Sequence, residues 1–172
     1  MNSLIHKPRV LVVENEAIVA LDIRLQLVEL GYEPVGQTMR GGRAVHLAGQ
    51  LRPDLVLMDI KLADSIDGVA AAQAIQTLYA IPVVFLSAFS EHEVMARARL
   101  VKPYGYIVKP FSQWEMRTVM EIALYKRKEE LDTCCCGLHS NSHHTAEDCF
   151  PPLTDDLGLP ALTERPQGSI DH

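Results

Sequence analysis

The chain has 172 residues and a formal net charge of −6, but the charge is unevenly spread. Residues 1–132 hold 15 Lys and Arg against 16 Asp and Glu, whereas residues 133–172 hold one Arg against six acids. A nearly neutral body, in a chain whose pI is about 5.6, lacks the basic surface of a nucleic-acid binder. No apolar run is long enough for a membrane span or a secretion signal.

The four cysteines all lie in the acidic last segment, so the body is not a disulfide scaffold. About 130 residues suffice for one full hydrophobic core and hardly for two. We therefore expect a cytoplasmic protein with one globular domain over residues 8–132 and an acidic, proline-containing flexible tail over residues 133–172.

The body alternates short apolar runs with longer amphipathic stretches, which predicts alternating strands and helices. The apolar runs predict five strands: Arg9–Val13, Pro34–Gln37, Leu55–Met58, Val83–Leu86 and Tyr104–Val108. The amphipathic stretches predict five helices: Ala17–Leu30, Ala44–Leu51, Val69–Tyr79, Glu91–Val101 and Trp114–Leu131.

The first predicted helix shows how the periodicity is used. Its apolar residues recur at helical spacing: Ala17, Ile18, Leu21, Leu25, Val28 and Leu30. Gly31 follows directly, as expected of a glycine that ends a helix.

The strands start near residues 10, 34, 55, 83 and 104, a spacing of roughly 20–28 residues that right-handed βαβ crossovers require. Strands 1, 3 and 4 are continuously apolar, which predicts helices on both faces of the sheet. The fold class predicted is a doubly wound α/β sandwich with a five-stranded parallel sheet and five helices.

Polar residues follow four of these strands, at the sheet edge where ligands bind in such folds. They are Glu14, Asn15, Asp59, Ser87 and Lys109. Any single one of them could equally be a cap or loop residue, but five at matched strand ends point to a site.

The chemistry of this set favours phosphoryl transfer. Glu14 and Asp59 would repel each other unless a cation lay between them, and all-oxygen ligation selects a hard ion such as Mg²⁺. Lys109 offers a positive charge for a phosphoryl oxygen, and Ser87 offers a hydroxyl donor. The residues therefore predict a Mg²⁺-assisted phosphoryl acceptor centred on Asp59.

At these residues the sequence resembles the receiver domain of two-component response regulators. The stretches that carry the resemblance are VLVVENE (Val10–Glu16), PDLVLMDIKL (Pro53–Leu62), PVVFLSAFS (Pro82–Ser90) and YGYIVKPF (Tyr104–Phe111). The resemblance covers nearly the whole body and implies a flavodoxin-like sheet with strand order 2-1-3-4-5.

The resemblance also implies a role for each site residue. Asp59 would be the phospho-acceptor, and Glu14, Asp59 and the backbone carbonyl of Lys61 would hold Mg²⁺. Ser87 would hydrogen-bond the phosphoryl group and Lys109 would pair with it, while Tyr106 would occupy the aromatic switch position. The Lys109–Pro110 peptide is expected to be cis.

Asn15 departs from the family pattern, which has a second acid at this place. Its amide oxygen can still face a metal or a metal-held water, but one negative charge is lost, so we expect weaker Mg²⁺ binding. The alternative is a receiver-like adaptor that is not phosphorylated. A phosphatase of the haloacid dehalogenase class would need an acid where Lys61 stands, so we expect no catalysis beyond self-phosphorylation and self-dephosphorylation at Asp59.

The expected partners are a sensor histidine kinase or a phosphotransfer protein, and a downstream protein bound by the face of predicted helix 4, strand 5 and helix 5. The 40 residues after the body are too few and too proline-rich for a winged helix, so we expect output by protein contact, with neither nucleic acid nor a membrane as a partner. The charged end of helix 5, Lys126–Glu130, is either solvated or a homodimer surface.

The tail contains a group of metal-binding residue types: Cys134, Cys135, Cys136, His139, His143, His144 and Cys149. A zinc site, a redox-reactive cluster and a plain reduced tail all remain open, because the spacing matches no closed zinc motif.

Overall fold

The structure is a computed structural model that describes residues 7–62, 66–88 and 101–136. Residues 91–100 of the predicted fourth helix lie outside the described residues, as does the tail from residue 137 onward, with the histidines and the last cysteine of its predicted cluster.

One parallel sheet forms the centre of the described domain, with strand order β2-β1-β3-β4-β5. Its strands are β1 (Arg9–Val13), β2 (Glu33–Thr38), β3 (Leu55–Asp59), β4 (Val83–Ala88) and β5 (Gly105–Lys109). The register pairs Val10 with Leu55, Asp59 with Leu86 and Ala88 with Lys109. The predicted doubly wound α/β fold, its five strands and their order are confirmed.

Four of the five predicted helices fall within the described part of the chain. They are α1 (Ala17–Glu29), α2 (Gly41–Leu51), α3 (Gly68–Tyr79) and α4 (Gln113–Cys136). The last helix continues to Cys136, beyond the predicted end at Leu131, because nothing in Asp132–Cys136 breaks a helix.

The end of α1 confirms the predicted role of its glycine. Gly31 adopts a φ of 87°, in the left-handed region that favours glycine. Its N–H donates to the Val28 carbonyl at 3.1 Å, and the Tyr32 N–H donates to the Leu27 carbonyl at 2.9 Å. This pair of bonds is the Schellman motif, which satisfies carbonyls that the helix leaves free.

The hydrophobic core lies on both faces of the sheet, as the continuously apolar strands predicted. One face packs against α2 and α3, and its buried residues include Leu11, Val13, Val56, Met58, Phe85, Ala44 and Ile75. The other face packs against α1 and α4, and its buried residues include Val10, Val12, Leu57, Leu86, Ile23, Met116 and Met120. The strands are thus held rigidly from both sides, so that their ends present side chains at fixed positions.

The outer face of α1 differs from what an amphipathic helix would show. The residues buried against the sheet are Ala20, Ile23 and Leu27, whereas Ile18, Leu21, Leu25 and Val28 are exposed. Both faces of α1 are apolar, so the periodicity locates the helix but not the face that packs inward.

The loop between β3 and α3 returns closely to the end of its own strand. A Cβ atom on Gly68 would lie 2.0 Å from the carbonyl oxygen of Asp59, so only glycine fits there. The Gly68 N–H donates to the Ile60 carbonyl at 3.0 Å. Asp67 caps α3 by accepting a hydrogen bond of 2.8 Å from the Ala70 N–H. These contacts fix the backbone on which the Asp59 side chain is mounted.

Candidate functional site

Three charged side chains meet at the carboxyl edge of the sheet. Lys109, the last residue of β5, donates from Nζ to Glu14 Oε2 at 2.6 Å and to Asp59 Oδ2 at 2.9 Å. Glu14 directly follows β1, and Asp59 ends β3. The structure therefore brings together the three charged residues that were expected to lie close because parallel strands end at the same edge.

The remaining carboxylate oxygens are held by backbone amides. Glu14 Oε1 accepts from the Glu16 N–H at 3.1 Å, and Asp59 Oδ1 accepts from the Lys61 N–H at 3.0 Å. Each carboxylate thus has one oxygen on Lys109 and one on the main chain. Both side chains are fixed in orientation before any ligand arrives.

The cluster lies mostly inside the protein. Glu14 is 0% exposed and Asp59 is 5% exposed. Burial raises the pKa of Glu14, and the hydrogen bond from Lys109 partly opposes that rise. Burial by itself would lower the pKa of Lys109, but its hydrogen bonds to Glu14 and Asp59 together outweigh this, so the pKa is raised and the amine is charged at neutral pH.

Ser87 and Tyr106 lie on the two neighbouring strands at the same side of the sheet. Ser87, on β4, is 1% exposed, and its Oγ donates to the Ala88 carbonyl at 3.1 Å. Tyr106, on β5, is half-buried, and its ring centroid lies 5.9 Å from that of Phe85 at an interplanar angle of 32°. The hydroxyl and the aromatic ring are therefore on adjacent strands, as a coupled movement of the two would require.

Asn15 places an amide oxygen beside Glu14. In the described part of the chain, this buried Oδ1 accepts no hydrogen bond. A buried oxygen without a donor is costly unless a cation or water meets it. The same described residues contain no group of three His, Cys, Asp or Glu side chains suited to a metal, so a metal here would depend on the two carboxylates together with amide and peptide oxygens. Such a donor set suits Mg²⁺ rather than zinc.

Some features of the site were not foreseen from the sequence. The bridging of Glu14 and Asp59 by one lysine, the Lys61 N–H bond and the close approach of Gly68 all depend on tertiary geometry. The close approach of Gly68 had one signal in the sequence, the Asp67-Gly68 pair. It combines a residue that caps helices with a residue that has no side chain. The Lys109–Pro110 peptide is cis, as expected.

The fold and the site together define a class of protein: a doubly wound α/β domain with a buried aspartate, a second acid and a lysine at its carboxyl edge. A family model described as the response regulator receiver domain matches residues 10–121. The chain belongs to this family and is homologous to response regulators, in keeping with a role in phosphorelay signalling.

Similar proteins agree with this assignment. The transcriptional regulatory protein PdtaR of Mycobacterium tuberculosis is 40% identical over 121 residues, which cover 70% of this chain and 58% of that protein. The chemotaxis protein CheY of Bacillus subtilis is 32% identical over 104 residues, which cover 60% of this chain and 86% of CheY. The matched region therefore spans little more than half the length of PdtaR.

Solved structures show the same fold. The signal receiver domain of a modulated diguanylate cyclase from Desulfovibrio desulfuricans is 36% identical, with a TM-score of 0.70 over 73% of this chain and 99% of that one. Among the described residues, no helix is long and apolar enough to cross a membrane.

Proposed function

We propose that this receiver domain is a phosphorylation-dependent switch that accepts a phosphoryl group on Asp59 from a sensor histidine kinase or a phosphotransfer protein. The observation that carries the proposal is the Asp59 carboxylate, held by the Lys61 N–H on one oxygen and by Lys109 on the other. It lies at the edge where parallel sheets bind ligands. A fixed carboxylate beside a cation is suited to attack a phosphorus atom.

The proposed transfer is a displacement at phosphorus. An oxygen of Asp59 forms a bond to phosphorus, and the bond from phosphorus to the imidazole nitrogen of the donor breaks. That nitrogen keeps the electron pair of the broken bond, so a phosphohistidine protonated on its other nitrogen leaves as neutral imidazole. Lys109, charged at neutral pH, would move from the carboxylate to the phosphoryl oxygens, where its charge stabilises the transition state.

The oxygen donors around Asp59 fit Mg²⁺. Glu14, Asp59, the backbone carbonyl of Lys61 and the amide oxygen of Asn15 would hold it, and when bound it would neutralise charge on the phosphoryl oxygens. Support comes from the buried Asn15 oxygen, which has no hydrogen-bond donor in the described part of the chain. One carboxylate fewer than the family pattern still implies weaker binding than a site with Asp at position 15 would have.

Ser87 and Tyr106 are proposed to transmit the change. A phosphoryl group carries a charge of about −1.5 to −2 and strong acceptor oxygens, and it replaces the single negative charge of the Asp59 carboxylate. Ser87 Oγ would leave the Ala88 carbonyl to donate to one of those oxygens, and the Tyr106 ring would turn into the space vacated. The packing of Tyr106 against Phe85 supports this, because the two rings join β5 to β4, which carries Ser87. The result is a population shift between two packings.

The changed surface would be read by a protein partner. We propose that this surface comprises β5, α4 and the predicted helix over residues 91–101, most of which lies outside the described residues. We also propose that the protein acts in the cytoplasm, and that residues 8–132 form the receiver while residues 133–172 form a tail, whose first four residues continue α4. Receiver domains are signalling domains, and we infer that the only chemistry of this one takes place on Asp59.

The decisive experiment is incubation of the full chain with Mg²⁺ and acetyl phosphate, followed by intact mass measurement. We expect a labile adduct of about 80 Da, the mass of one phosphoryl group. Asp59→Asn should form none. Asp54→Asn, which alters an acid at the opposite end of the sheet, is the matched control and should be labelled like the natural chain. A natural chain without any adduct would instead favour the unphosphorylated adaptor.

A further inference from the structure

A cavity of about 410 Å³ lies beside the amino ends of β4 and β5, at the opposite edge of the sheet from Asp59. The described residues that line it come from the end of α3, the turn before β5 and the second half of α4. Its volume falls within the range of roughly 300–1,000 Å³ that is usual for sites that bind small molecules. No step of the proposed phosphoryl transfer uses this cavity.

The lining combines an apolar part with a charged part. Of the apolar lining residues, Ile81 is 6% exposed, and Val101 and Pro103 are half-buried. The lining residues that are exposed are all charged: Lys102, Lys126 and Glu130. Apolar surface with a few charged groups beside it is the usual composition of a ligand site.

Positive charge predominates around the cavity. Lys102, Lys126 and Arg127 carry three positive charges, against the single carboxylate of Glu130. That carboxylate already accepts a hydrogen bond from the Tyr104 hydroxyl, and its Oε2 lies 3.7 Å from Arg127 Nη1, which is too long for a hydrogen bond. Three cations against one acid leave an excess of two positive charges, in a chain whose formal net charge is −6.

Gln76 adds a buried hydrogen-bond donor to this set. Its side chain lines the cavity from α3, and its Nε2 atom is shielded from solvent and donates no hydrogen bond in the described part of the chain. A buried donor without an acceptor lowers the stability of a fold. An oxygen atom of a ligand in the cavity would supply the acceptor that this amide lacks.

The backbone at Lys102 adopts a strained conformation beside the cavity. Its φ is 51°, in the left-handed region that favours glycine. A glycine would relieve the strain but would remove one of the three cations. Strained residues of this kind are typical of ligand sites, and here the strained residue contributes charge to the lining.

The size of the cavity calls for more than a simple anion. At about 30 Å³ for each water, it has room for roughly ten or more non-hydrogen atoms, well beyond the size of inorganic phosphate. Val101 and Pro103 offer apolar surface to the rest of the ligand. The hydroxyl groups of a sugar would lose water there without gaining partners, so an apolar ring fits better.

We propose that this cavity binds a small phosphate monoester that carries an apolar ring. The phosphate would lie among the three cations and accept a hydrogen bond from Gln76 Nε2, and the ring would pack against Ile81 and Val101. A phosphate monoester carries a charge of about −1.5 to −2 at neutral pH, which matches the excess of two positive charges, whereas a carboxylate carries about −1. Guanidinium and ammonium groups are the usual protein partners of phosphate oxygens.

Titration of the full chain with phenyl phosphate, in the absence of Mg²⁺ and followed by amide NMR, tests the site. We expect binding with a dissociation constant on the order of 1 mM or tighter. The amide signals of Lys102 and Tyr104 should shift, and those of Glu14 and Lys61 should not. Shifts confined to Glu14 and Lys61 would place the ligand at the phospho-acceptor site and overturn the proposal. Binding that is still undetectable at about 20 mM would overturn it as well.

Two simpler anions test the class of ligand. Inorganic phosphate lacks the ring, and benzoate has a ring but less negative charge, so each should bind at least about tenfold more weakly than phenyl phosphate. If inorganic phosphate binds as tightly as phenyl phosphate, the cavity is a general anion site and the ester is excluded. If benzoate binds as tightly, the preference for phosphate is wrong.

Substitutions test the named residues. Lys126→Gln and Arg127→Gln should each raise the dissociation constant of phenyl phosphate roughly threefold to tenfold. Lys128→Gln is the matched control, because Lys128 is an exposed cation of the same helix and is not among the described lining residues, so the affinity should not change. An equal loss in Lys126→Gln and Lys128→Gln would show that only the net charge matters and would overturn the site.

Gln76→Leu separates a ligand contact from a structural one. It keeps a side chain of similar size but removes the donor, so phenyl phosphate should bind about threefold more weakly. The urea midpoint of the free protein should not fall, because a buried donor without an acceptor is lost. A lower midpoint with unchanged affinity would show that Gln76 serves the fold and not the ligand.

This inference does not rest on the phospho-acceptor proposal. The titration needs neither Mg²⁺ nor Asp59, so Asp59→Asn should bind phenyl phosphate like the natural chain. Labelling by acetyl phosphate tests the opposite edge of the sheet, and either experiment can fail while the other succeeds.

Discussion

The two ends of the sheet use charged residues in opposite ways. At the carboxyl end, Lys109 bonds to both Glu14 and Asp59, and both carboxylates are nearly or fully buried. Two negative groups therefore share one positive group in a place with little water. Such an arrangement is unfavourable for folding, because burial penalises the unneutralised charge.

At the amino end, the polar groups are paired in hydrogen bonds near the surface. The Arg9 N–H donates to Asp54 Oδ2 at 2.7 Å, and the Arg9 guanidinium donates to the Leu51 carbonyl at 2.8 Å. Tyr104, just before β5, donates to the Glu130 carboxylate on α4. These bonds link the sheet to its helices, and each group has found a partner within the domain.

The comparison indicates where function lies. Both ends hold carboxylates and cations, so residue type alone does not distinguish them. They differ in how deeply the charges are buried and in whether the charges cancel. The carboxyl end retains an excess buried negative charge, while the amino end does not. Buried charges kept against their cost are typical of functional sites. Four experiments test this difference.

The largest effect is expected from Lys109→Met, which removes the shared cation. Phosphorylation of Asp59 by acetyl phosphate should slow by roughly 100-fold, as is usual when one charge-stabilising group is lost. Two buried carboxylates would also face each other without a cation, so the free energy of unfolding should fall by about 1–3 kcal/mol at pH 8. Intact mass and urea unfolding measure the two effects.

The stability loss in Lys109→Met should depend on pH. Burial already raises the pKa of Glu14, and without Lys109 the opposing hydrogen bond is lost, so the folded state takes up a proton more readily. A carboxyl whose pKa is raised in the folded state gives stability as the pH falls. The deficit should therefore shrink at pH 5. Lys128→Met, at an exposed position on α4, is the control and should change neither quantity; an equal deficit there would contradict the comparison.

Gly68→Ala should strain the carboxyl end through its backbone. The added Cβ would lie 2.0 Å from the Asp59 carbonyl, so the strand end or the loop must shift. We expect a loss of about 2–4 kcal/mol in urea unfolding and slower labelling of Asp59. Gly42→Ala is the matched control, because its Cβ would be 3.4 Å from Ile66 Cδ1, near ordinary contact. Equal behaviour of the two variants would show that the Asp59 backbone tolerates movement.

Asn15→Asp should increase the excess negative charge at the carboxyl end of the sheet. It adds a carboxylate beside Glu14 where the amide oxygen now lies, so Mg²⁺ should bind about tenfold more tightly. Asn15→Ala, which removes the oxygen, should bind more weakly than the natural chain. Calorimetric titration with Mg²⁺ measures both, and unchanged affinity in Asn15→Asp would exclude this position from the metal site.

The smallest effect is expected at the amino end, from Tyr104→Phe. Burial, followed by the hydrogen bond to Glu130, raises the pKa of Tyr104 to about 12. The folded state therefore holds the phenolic proton more tightly, and this contribution to stability is complete below pH 10 and is lost as the pH rises toward 12. The variant should be about 0.5–1.5 kcal/mol less stable at pH 8, and the difference should vanish toward pH 12. Labelling of Asp59 should not change.

The sequence predicted the sheet well because parallel strands buried on both faces are continuously apolar, and Val10–Val13, Leu55–Met58 and Val83–Leu86 have no polar residue. Site residues could be named in advance because such strands deliver their ends to one edge. The inward face of α1 could not be predicted, because Leu21 and Leu25 are as apolar as Ile23 and Leu27. The bonding of Lys109 to both Glu14 and Asp59 could not be predicted either. It depends on two distances between residues that three different strands position.

The shared lysine also sets the sequence of charge states through which the proposed site would pass. Glu14, Asp59 and Lys109 together carry one net negative charge. A divalent cation would raise this total to +1. A doubly charged phosphoryl group would then replace the single charge of the Asp59 carboxylate and bring the total to zero. With an acid at position 15, every state would be one unit more negative. Compared with an acid at position 15, Asn15 therefore weakens the attraction of the site for the cation. Once the cation is bound, the more positive site attracts the anionic phosphoryl donor more strongly.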